Sequence, residues 1–369
     1  MTADDGVMAG PADFVRQFHK TFGLPIRDVP IADPPESVLR TRLLTEGAVM
    51  RIGSLCTGYG GLDMAVQAVF GGELAWWSDI EPGPIAVMER HHPGVMNVHD
   101  IRTAASLFEL LRDQLSVDIL TAGYPCQPFS PAGLRLGEKD ERHLWPWIAT
   151  AVGALRPGLI VLENVARHAR VGLARVVGDL AALGYDAMWT VIQASNIGAP
   201  HQRKRLFVLA TDASRERGDR SWDIRPRGRC EHPDSGVAVA DAVRERLAWH
   251  PQRDGEPFAG QDGERGPDAD RRTGADFGPY QAAVERWERV LGRIAPAPTT
   301  TGQRGARVLN PVFVEWMMGL PAGHVTSTEG LSRNAMLKLL GNGVVPQQAE
   351  YALRHLVATT AQVDGLVAA

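Results

Sequence analysis

Cys126 lies in TAGYPCQPFS, residues 121–130, directly after an apolar run, and Pro125 and Pro128 flank it closely. Proline fixes the backbone dihedral φ, so this thiol is carried on a stiff loop and not inside the apolar run where a packing cysteine normally sits. A nucleophile is one reading; an inert thiol is the other. Two further segments hold residues that could work beside it. LENV ends an apolar run with Glu163 and Asn164, next to the Cys126 loop if the two runs are neighbouring strands. In NIGAPHQRKRLFVLA, Arg203 and Arg205 alternate with Lys204, which places both arginines on one face of an extended segment, suited to an anion or carbonyl contact. The bland alternatives are a solvated carboxylate and a solvated charge run.

A second group reads as a ligand-binding edge. SLCTGYGGLDMA contains Gly58, Gly60 and Gly61, which allow a tight strand-to-helix turn and close approach of a ligand to the backbone. It is not the dinucleotide fingerprint, because G-x-G-x-x-G needs glycine where Asp63 stands. Asp79 and Asp100 follow the next two apolar runs, placed to accept hydrogen bonds from ribose hydroxyls and an exocyclic amine, or else to cap helices. Together these features point to an adenosine-bearing cofactor without a pyrophosphate.

The elements that must position these residues alternate from Met50 onward. MRIGSL, LAWWSDI, NVHDI, VDILTAG, LIVLEN, AMWTVI and RLFVLA read as short buried strands of a parallel sheet. Between them GLDMAVQAVF, EPGPIAVMERH, AASLFELLRDQL, HLWPWIATAVGAL and RVVGDLAALG have helical apolar spacing. The fold class is therefore α/β, a doubly wound, mostly parallel sheet with ligands at the carboxyl ends of its strands. The alternation stops near Ala210. Residues 211–275 hold 12 Arg against 14 acidic residues and only 9 large apolar or cysteine residues in 65, too few for an ordinary core. Order resumes with the helical spacing of DFGPYQAAVERWERVLGRI and NPVFVEWMMGLP, and residues 334–363 read as two helices around a Gly-Asn-Gly turn.

At 369 residues the chain can hold two structural units. Its net charge of −4 announces no nucleic-acid partner, so any such surface must be a local basic stripe. Cys56, Cys126 and Cys230 form neither a disulfide framework nor a metal knuckle, and no metal site is expected. No apolar run reaches the length of a membrane span and the first ten residues are acidic, so the reading is a soluble, cytoplasmic protein.

The ordered set SLCTGYGG, Asp79, Asp100, YPCQPFS, LENV, GAPHQRKR and GNGVVP resembles the motifs of the cytosine-5 DNA methyltransferases, over roughly residues 50–210 and 305–355. SLCTGYGGLDMAV and LNPVFVEWMMGLP resemble actinobacterial and phage members. The resemblance implies the Rossmann-like fold of methyltransferases that use S-adenosylmethionine, with a smaller, loop-rich second domain. It implies Cys126 as the nucleophile toward a flipped-out cytosine and Glu163 as the acid at its ring nitrogen. Arg203 and Arg205 would lie near the base carbonyl, the catalytic loop and a phosphate, and Gln127 and Ser130 would also contact DNA. For the cofactor it implies Gly58, Tyr59, Gly60, Gly61 and Leu62 at the methionine, Asp79 and Ile80 at the ribose and adenine, and Asp100 and Ile101 at the adenine amine. Gly123 and Leu144 would complete the pocket, and Asn342 and Val344 would return from the C-terminal turn to close it. The implied partners are double-stranded DNA and a cognate restriction endonuclease, for a monomeric enzyme. A tRNA-modifying branch of the family and a catalytically inactive DNA-binding relic are the competing readings.

This chain departs from the family pattern in three places. Cys56 replaces the aromatic before the glycine turn, Ile80 replaces the ring that commonly stacks on adenine, and His201 stands where glutamine is usual. The implied domain plan is an N-terminal extension at 1–49, a catalytic domain at 50–210, a target-recognition region at 211–327, and a C-terminal segment at 328–369 returning to the catalytic domain. FVRQFHKTFGLPIRDVP in the extension resembles the first helix of MazG-like nucleotide pyrophosphohydrolases, yet the E-E-x-x-E metal motif is missing, which favours a fused remnant or a docking arm.

Overall fold

The computed structural model describes residues 49–125, 144–213, 277–302 and 305–367. Seven strands build one sheet: β1 (Arg51–Leu55), β2 (Glu73–Ser78), β3 (Met96–Asn97), β4 (Ile119–Ala122), β5 (Leu159–Val165), β6 (Tyr185–Ile192) and β7 (Arg205–Asp212). Their spatial order is β3-β2-β1-β4-β5-β7-β6. Strands β1 to β3 step one way across the sheet and β4 and β5 step the other, so the order reverses between β1 and β4. A crevice opens at such a reversal, beyond the carboxyl ends of the two strands.

The helices are α1 (Gly61–Phe70), α2 (Pro82–His91), α3 (Ile101–Leu110), α4 (Trp145–Leu155) and α5 (Leu173–Ala182) between the strands. After β7 come α6 (Gln281–Leu291), a small hairpin of β8 (Thr299–Thr301) and β9 (Arg307–Leu309), α7 (Pro311–Met317), α8 (Arg333–Asn342) and α9 (Pro346–Val367). Alternation along the strands explains why both sheet faces are covered. Trp76, Leu120, Ile160, Leu162 and Val208 join Phe108, Trp145, Ile148 and Leu180 in one core. Their strand neighbours Trp77, Ile119, Val161 and Phe207 face the other way, onto Leu62, Val66 and Val69 of α1 and Leu353 and Leu356 of α9. A third core, of Tyr59, Trp287, Trp316, Leu320, Val325 and Leu340, joins α6 to α8 to the glycine turn.

The strand expectations need three corrections. AMWTVI is not a buried strand, because β6 is the last strand of the sheet and leaves Trp189 and Val191 exposed. NVHDI is a strand only at Met96–Asn97, because Asp100 caps α3 by accepting the Arg102 amide and Ile101 is already helical. RLFVLA is not parallel: β7 pairs antiparallel with both β5 and β6. Its apolar run cannot reveal this, since a strand buried on both faces looks the same in either direction. The reversal matters for the site, because it delivers the beginning of β7 to the sheet edge where β1, β4 and β5 end. A parallel β7 would have carried its leading arginines to the opposite edge.

Candidate active site

A cleft of about 650 Å³ runs along that edge. Of the residues with expected binding roles, Gly58, Leu62, Asp79, Ile80, Asp100, Ile101, Gly123, Leu144, Asn342 and Val344 line it, together with Glu163 and Arg205. Tyr59, Gly60, Gly61 and Arg203 do not. Cys126, Gln127 and Ser130 lie outside the described residues, as do Cys230, the extension to residue 48 and residues 214–276.

At one end, Asp79 organises the glycine turn. Its carboxylate accepts the Gly58 amide at 3.0 Å and the Glu81 amide at 3.0 Å, tying the turn to the start of α2. Burial raises its pKa, and these amides pull it back down. Gly58 has φ of 60° and open space where a side chain would be, so a ligand can meet the bare backbone here. Gly60 and Gly61 are small for a different reason. A β-carbon on Gly61 would fall 2.4 Å from the Val344 carbonyl oxygen, and one on Gly60 would fall 3.3 Å from Met88 Sδ. What approaches them closely is this chain, not a ligand. Asp100 is both cap and cleft residue: it accepts the Arg102 amide at 2.9 Å and pairs with the Arg102 guanidinium at 2.6 Å, which holds its carboxyl below the usual carboxylate range. Cys56, half-buried and lining the cleft between these acids, has its thiol pushed up to about 12 by burial and by Asp79 and Asp100, so it is no nucleophile at neutral pH. Ile80 is 56% exposed on the cleft lip, an apolar wall in place of a ring.

At the other end stands Glu163, 7% exposed. Arg205 Nε meets its Oε1 at 2.9 Å. The antiparallel register pairs Val165 with Arg205 and Glu163 with Phe207, so acid and cation are diagonal neighbours on one face. Burial raises the Glu163 pKa while Arg205 and Arg203 draw it down. A β-carbon built on Gly123 would lie 3.7 Å from Glu163 Oε2, so the acid overhangs the end of β4, three residues before Cys126. Asn164 donates to the Tyr124 carbonyl at 3.2 Å, and Tyr124 Oη meets His168 Nε2 at 2.9 Å, which fixes the chain leading into the cysteine loop.

The C-terminal turn closes the cleft from above. Tyr59, expected at the cofactor, is 1% exposed and donates its hydroxyl to the Val344 carbonyl at 2.7 Å. Its ring fills the space where Gly343 would carry a β-carbon, 1.8 Å away. Arg203 does not share a face with Arg205, because it precedes β7 and has φ of 33°. Its Nη2 donates to the carbonyls of Gly341, at 2.9 Å, and Gly343. His201 hydrogen-bonds the Met317 carbonyl at 3.0 Å instead of facing the cleft.

Sequence reasoning passed over three cleft residues. Asp63 entered only as the residue that breaks a glycine pattern, yet it is 4% exposed and accepts from Ser54 Oγ at 2.8 Å and Thr121 Oγ1 at 2.5 Å. Burial pushes its pKa up to about 6. Its place in the first turn after a strand carrying Ser54 was the available signal. Glu81 and Lys338 pair at 2.5 Å across the cleft mouth, between α2 and α8, and nothing local announces a pair 257 residues apart. Among the described residues no helix is long and apolar enough to cross a membrane, and no group of three or more potential ligands could hold a metal ion.

Comparison with known proteins matches residues 50–254 to the C-5 cytosine-specific DNA methylase family. Type II methyltransferase M.NgoBV of Neisseria gonorrhoeae is 32% identical over 166 residues, 42% of this chain and 38% of that protein. Type II methyltransferase M.NaeI of Lentzea aerocolonigenes is 27% identical over 267 residues, 69% of this chain and 62% of that protein. The chain thus spans between about a third and two thirds of the length of these relatives. Among solved structures, the S. pombe Dnmt2 methyltransferase superposes with TM-score 0.52 at 16% identity, covering 84% of this chain and 99% of its own. A candidate DNA modification methyltransferase from an E. coli prophage gives TM-score 0.51 at 17% identity, with coverage of 84% and 99%. At these identities the structures speak for the fold alone. With more than half of its residues matched by the family pattern, the chain belongs to the C-5 cytosine-specific DNA methylases.

Proposed function

We propose that the protein is a DNA (cytosine-5-)-methyltransferase that uses S-adenosylmethionine. The observation that carries this reading is the buried Glu163 carboxyl, bound to Arg205 and standing over the end of the strand that leads to Cys126. Carbon 5 of cytosine is a poor nucleophile in the aromatic ring. Addition of the Cys126 thiolate at carbon 6 makes carbon 5 electron-rich, and the addition is eased when Glu163 supplies a proton to ring nitrogen 3. Arg205 holds the acid in place and offers its remaining donors to the base carbonyl. Once carbon 5 carries the methyl group, loss of the carbon 5 proton to solvent, expulsion of the Cys126 thiolate and return of the ring-nitrogen proton to Glu163 restore the aromatic ring and the acid. The target must leave the duplex to reach this pocket.

The cleft fits the cofactor. Gly58 offers open backbone, Asp79 and Asp100 offer carboxylates, Ile80, Ile101 and Leu144 offer apolar walls, and Asn342 and Val344 close the far side. When bound, S-adenosylmethionine supplies the electrophilic methyl group. Residues 50–210 and 328–369 form the catalytic unit in this reading, residues 211–327 contain the target-recognition region, and double-stranded DNA in the cytoplasm is the partner. A cognate restriction endonuclease is part of the same proposal.

The test is covalent trapping on duplex DNA carrying 5-fluorocytosine, combined with bisulfite sequencing of DNA from expressing cells. The wild type should give a stable protein–DNA adduct and one methylated motif, and Cys126→Ala should give neither. Folded, cofactor-bound wild type that yields no adduct and no methylated motif overturns the proposal.

A further inference from the structure

Arg203 belongs to the Q-R-K-R run, yet its guanidinium is not in the wall of the cleft. It reaches 138 residues along the chain to the Gly341 carbonyl, at 2.9 Å, and also takes the Gly343 carbonyl. α8 ends at Asn342, so the Gly341 carbonyl is among the last four of the helix and has no partner within it. A cation there satisfies the orphan acceptor and complements the negative end of the helix dipole. The Arg203 backbone is fixed too: the fully buried Gln348 side chain of α9 donates at 2.8 Å both to the Arg203 carbonyl and to the Ile192 carbonyl at the end of β6. The residue has φ of 33°, a left-handed conformation uncommon for a side-chain-bearing residue.

The turn held in this way carries Asn342 and Val344 into the cleft. Its other fastening is the Tyr59 hydroxyl on the Val344 carbonyl, from the glycine turn on the opposite wall. Two residues later in the run, Arg205 grips Glu163. The start of β7 therefore reaches both ends of the site, one arginine to the acid and the other to the segment that roofs the cofactor cleft.

We infer that Arg203 is a positioning residue for the cofactor, acting through the Gly341–Gly343 turn, and not a contact to the base or to a DNA phosphate. This rests on the proposed use of the cleft for S-adenosylmethionine. Loss of its two charge-assisted hydrogen bonds frees the roof of the cleft, while Arg205, the cation that touches Glu163, stays in place. Arg203 acts on the acid only at a distance, by drawing its pKa down, so the main effect falls on cofactor affinity.

The experiment measures S-adenosylhomocysteine binding by calorimetry, together with steady-state kinetics on unmethylated genomic DNA, for wild type, Arg203→Met and Arg203→Lys. Arg203→Met should weaken binding about tenfold or more and raise KM for S-adenosylmethionine in parallel. The KM for DNA should stay within about twofold, and kcat at saturating cofactor within about threefold. Arg203→Lys, which keeps a cation able to reach one carbonyl, should recover part of the affinity. Should Arg203→Met fail to fold, as judged by circular dichroism, Arg203→Lys carries the test alone. Unchanged S-adenosylhomocysteine affinity in the folded variants, with a raised KM for DNA or slowed trapping by 5-fluorocytosine DNA, overturns the inference. Wild type that binds no S-adenosylhomocysteine overturns instead the reading of the cleft on which it rests.

Discussion

At the scale of single residues, the chemistry turns on one carboxyl. Glu163 is buried, which favours its protonated form, and is paired with Arg205, which favours the ionised one. A group acting as proton donor loses effect as pH rises through its pKa, so the high-pH limb of the rate profile should lie above the usual carboxylate range. Arg205→Met removes a cation that depresses this pKa and should move that limb to still higher pH, with the residual rate lower throughout. Glu163→Gln cannot donate a labile proton: kcat should fall about 100-fold or more and the limb should vanish, with S-adenosylhomocysteine affinity kept. A pH–rate series on the three proteins checks this, and superimposable limbs would sink the assignment. Asp79 offers a second test at the other end. Asp79→Ala removes the acceptor for the Gly58 and Glu81 amides and one carboxylate of the cleft, and calorimetry should show about a tenfold or greater loss of S-adenosylhomocysteine affinity.

Elements explain why these residues meet. Glu163 and Arg205 were legible in the sequence because each stands at the boundary of an apolar run, and the boundary is where a buried strand becomes available to a ligand. Their pairing was not legible, because it depends on the antiparallel direction of β7, and no periodicity distinguishes direction. The glycine turn was found correctly, but the reason for Gly61 was not: what presses on it is the Val344 carbonyl, 283 residues away along the chain. Gly343 obeys the same geometry. Its φ of −75° suits any residue, so what its smallness answers first is the Tyr59 ring. Gly343→Ala should therefore cost about 3 kcal/mol by overpacking. Tyr59→Leu shortens the obstructing side chain, and in that background the same substitution should cost measurably less. Urea unfolding of the two single variants and the double variant measures the coupling; strict additivity would show that ring and glycine do not meet.

For the molecule as a whole, two buried groups beneath the cleft pull its acid stability in opposite directions. Asp63, whose oxygens meet only the neutral hydroxyls of Ser54 and Thr121 among the described side chains, has its pKa raised by burial from 3.8 to about 6. Its contribution is complete below about pH 4 and is lost as pH rises through 6, about 3 kcal/mol in all. His324 is the reverse case. It joins the loop after α7 to the glycine turn through the Tyr59 carbonyl at 2.8 Å, and its ring stacks on His91 at 4.1 Å. Burial first, and then His91 and His92, lower its pKa from 6.5 to about 4, against the opposing pull of the Tyr59 carbonyl and Glu315. Its contribution is present above pH 6.5 and is lost as pH falls through 4, again about 3 kcal/mol. Over this range the two oppose each other in the wild-type curve. Asp63→Asn should lose about 2 kcal/mol more than wild type on acidification from pH 6.5 to 4, and His324→Asn should lose about 2.5 kcal/mol less. Taking each as a difference from wild type removes every group the proteins share. Urea unfolding at half-unit pH steps measures both, and curves that run parallel to wild type would show that neither buried group titrates with folding.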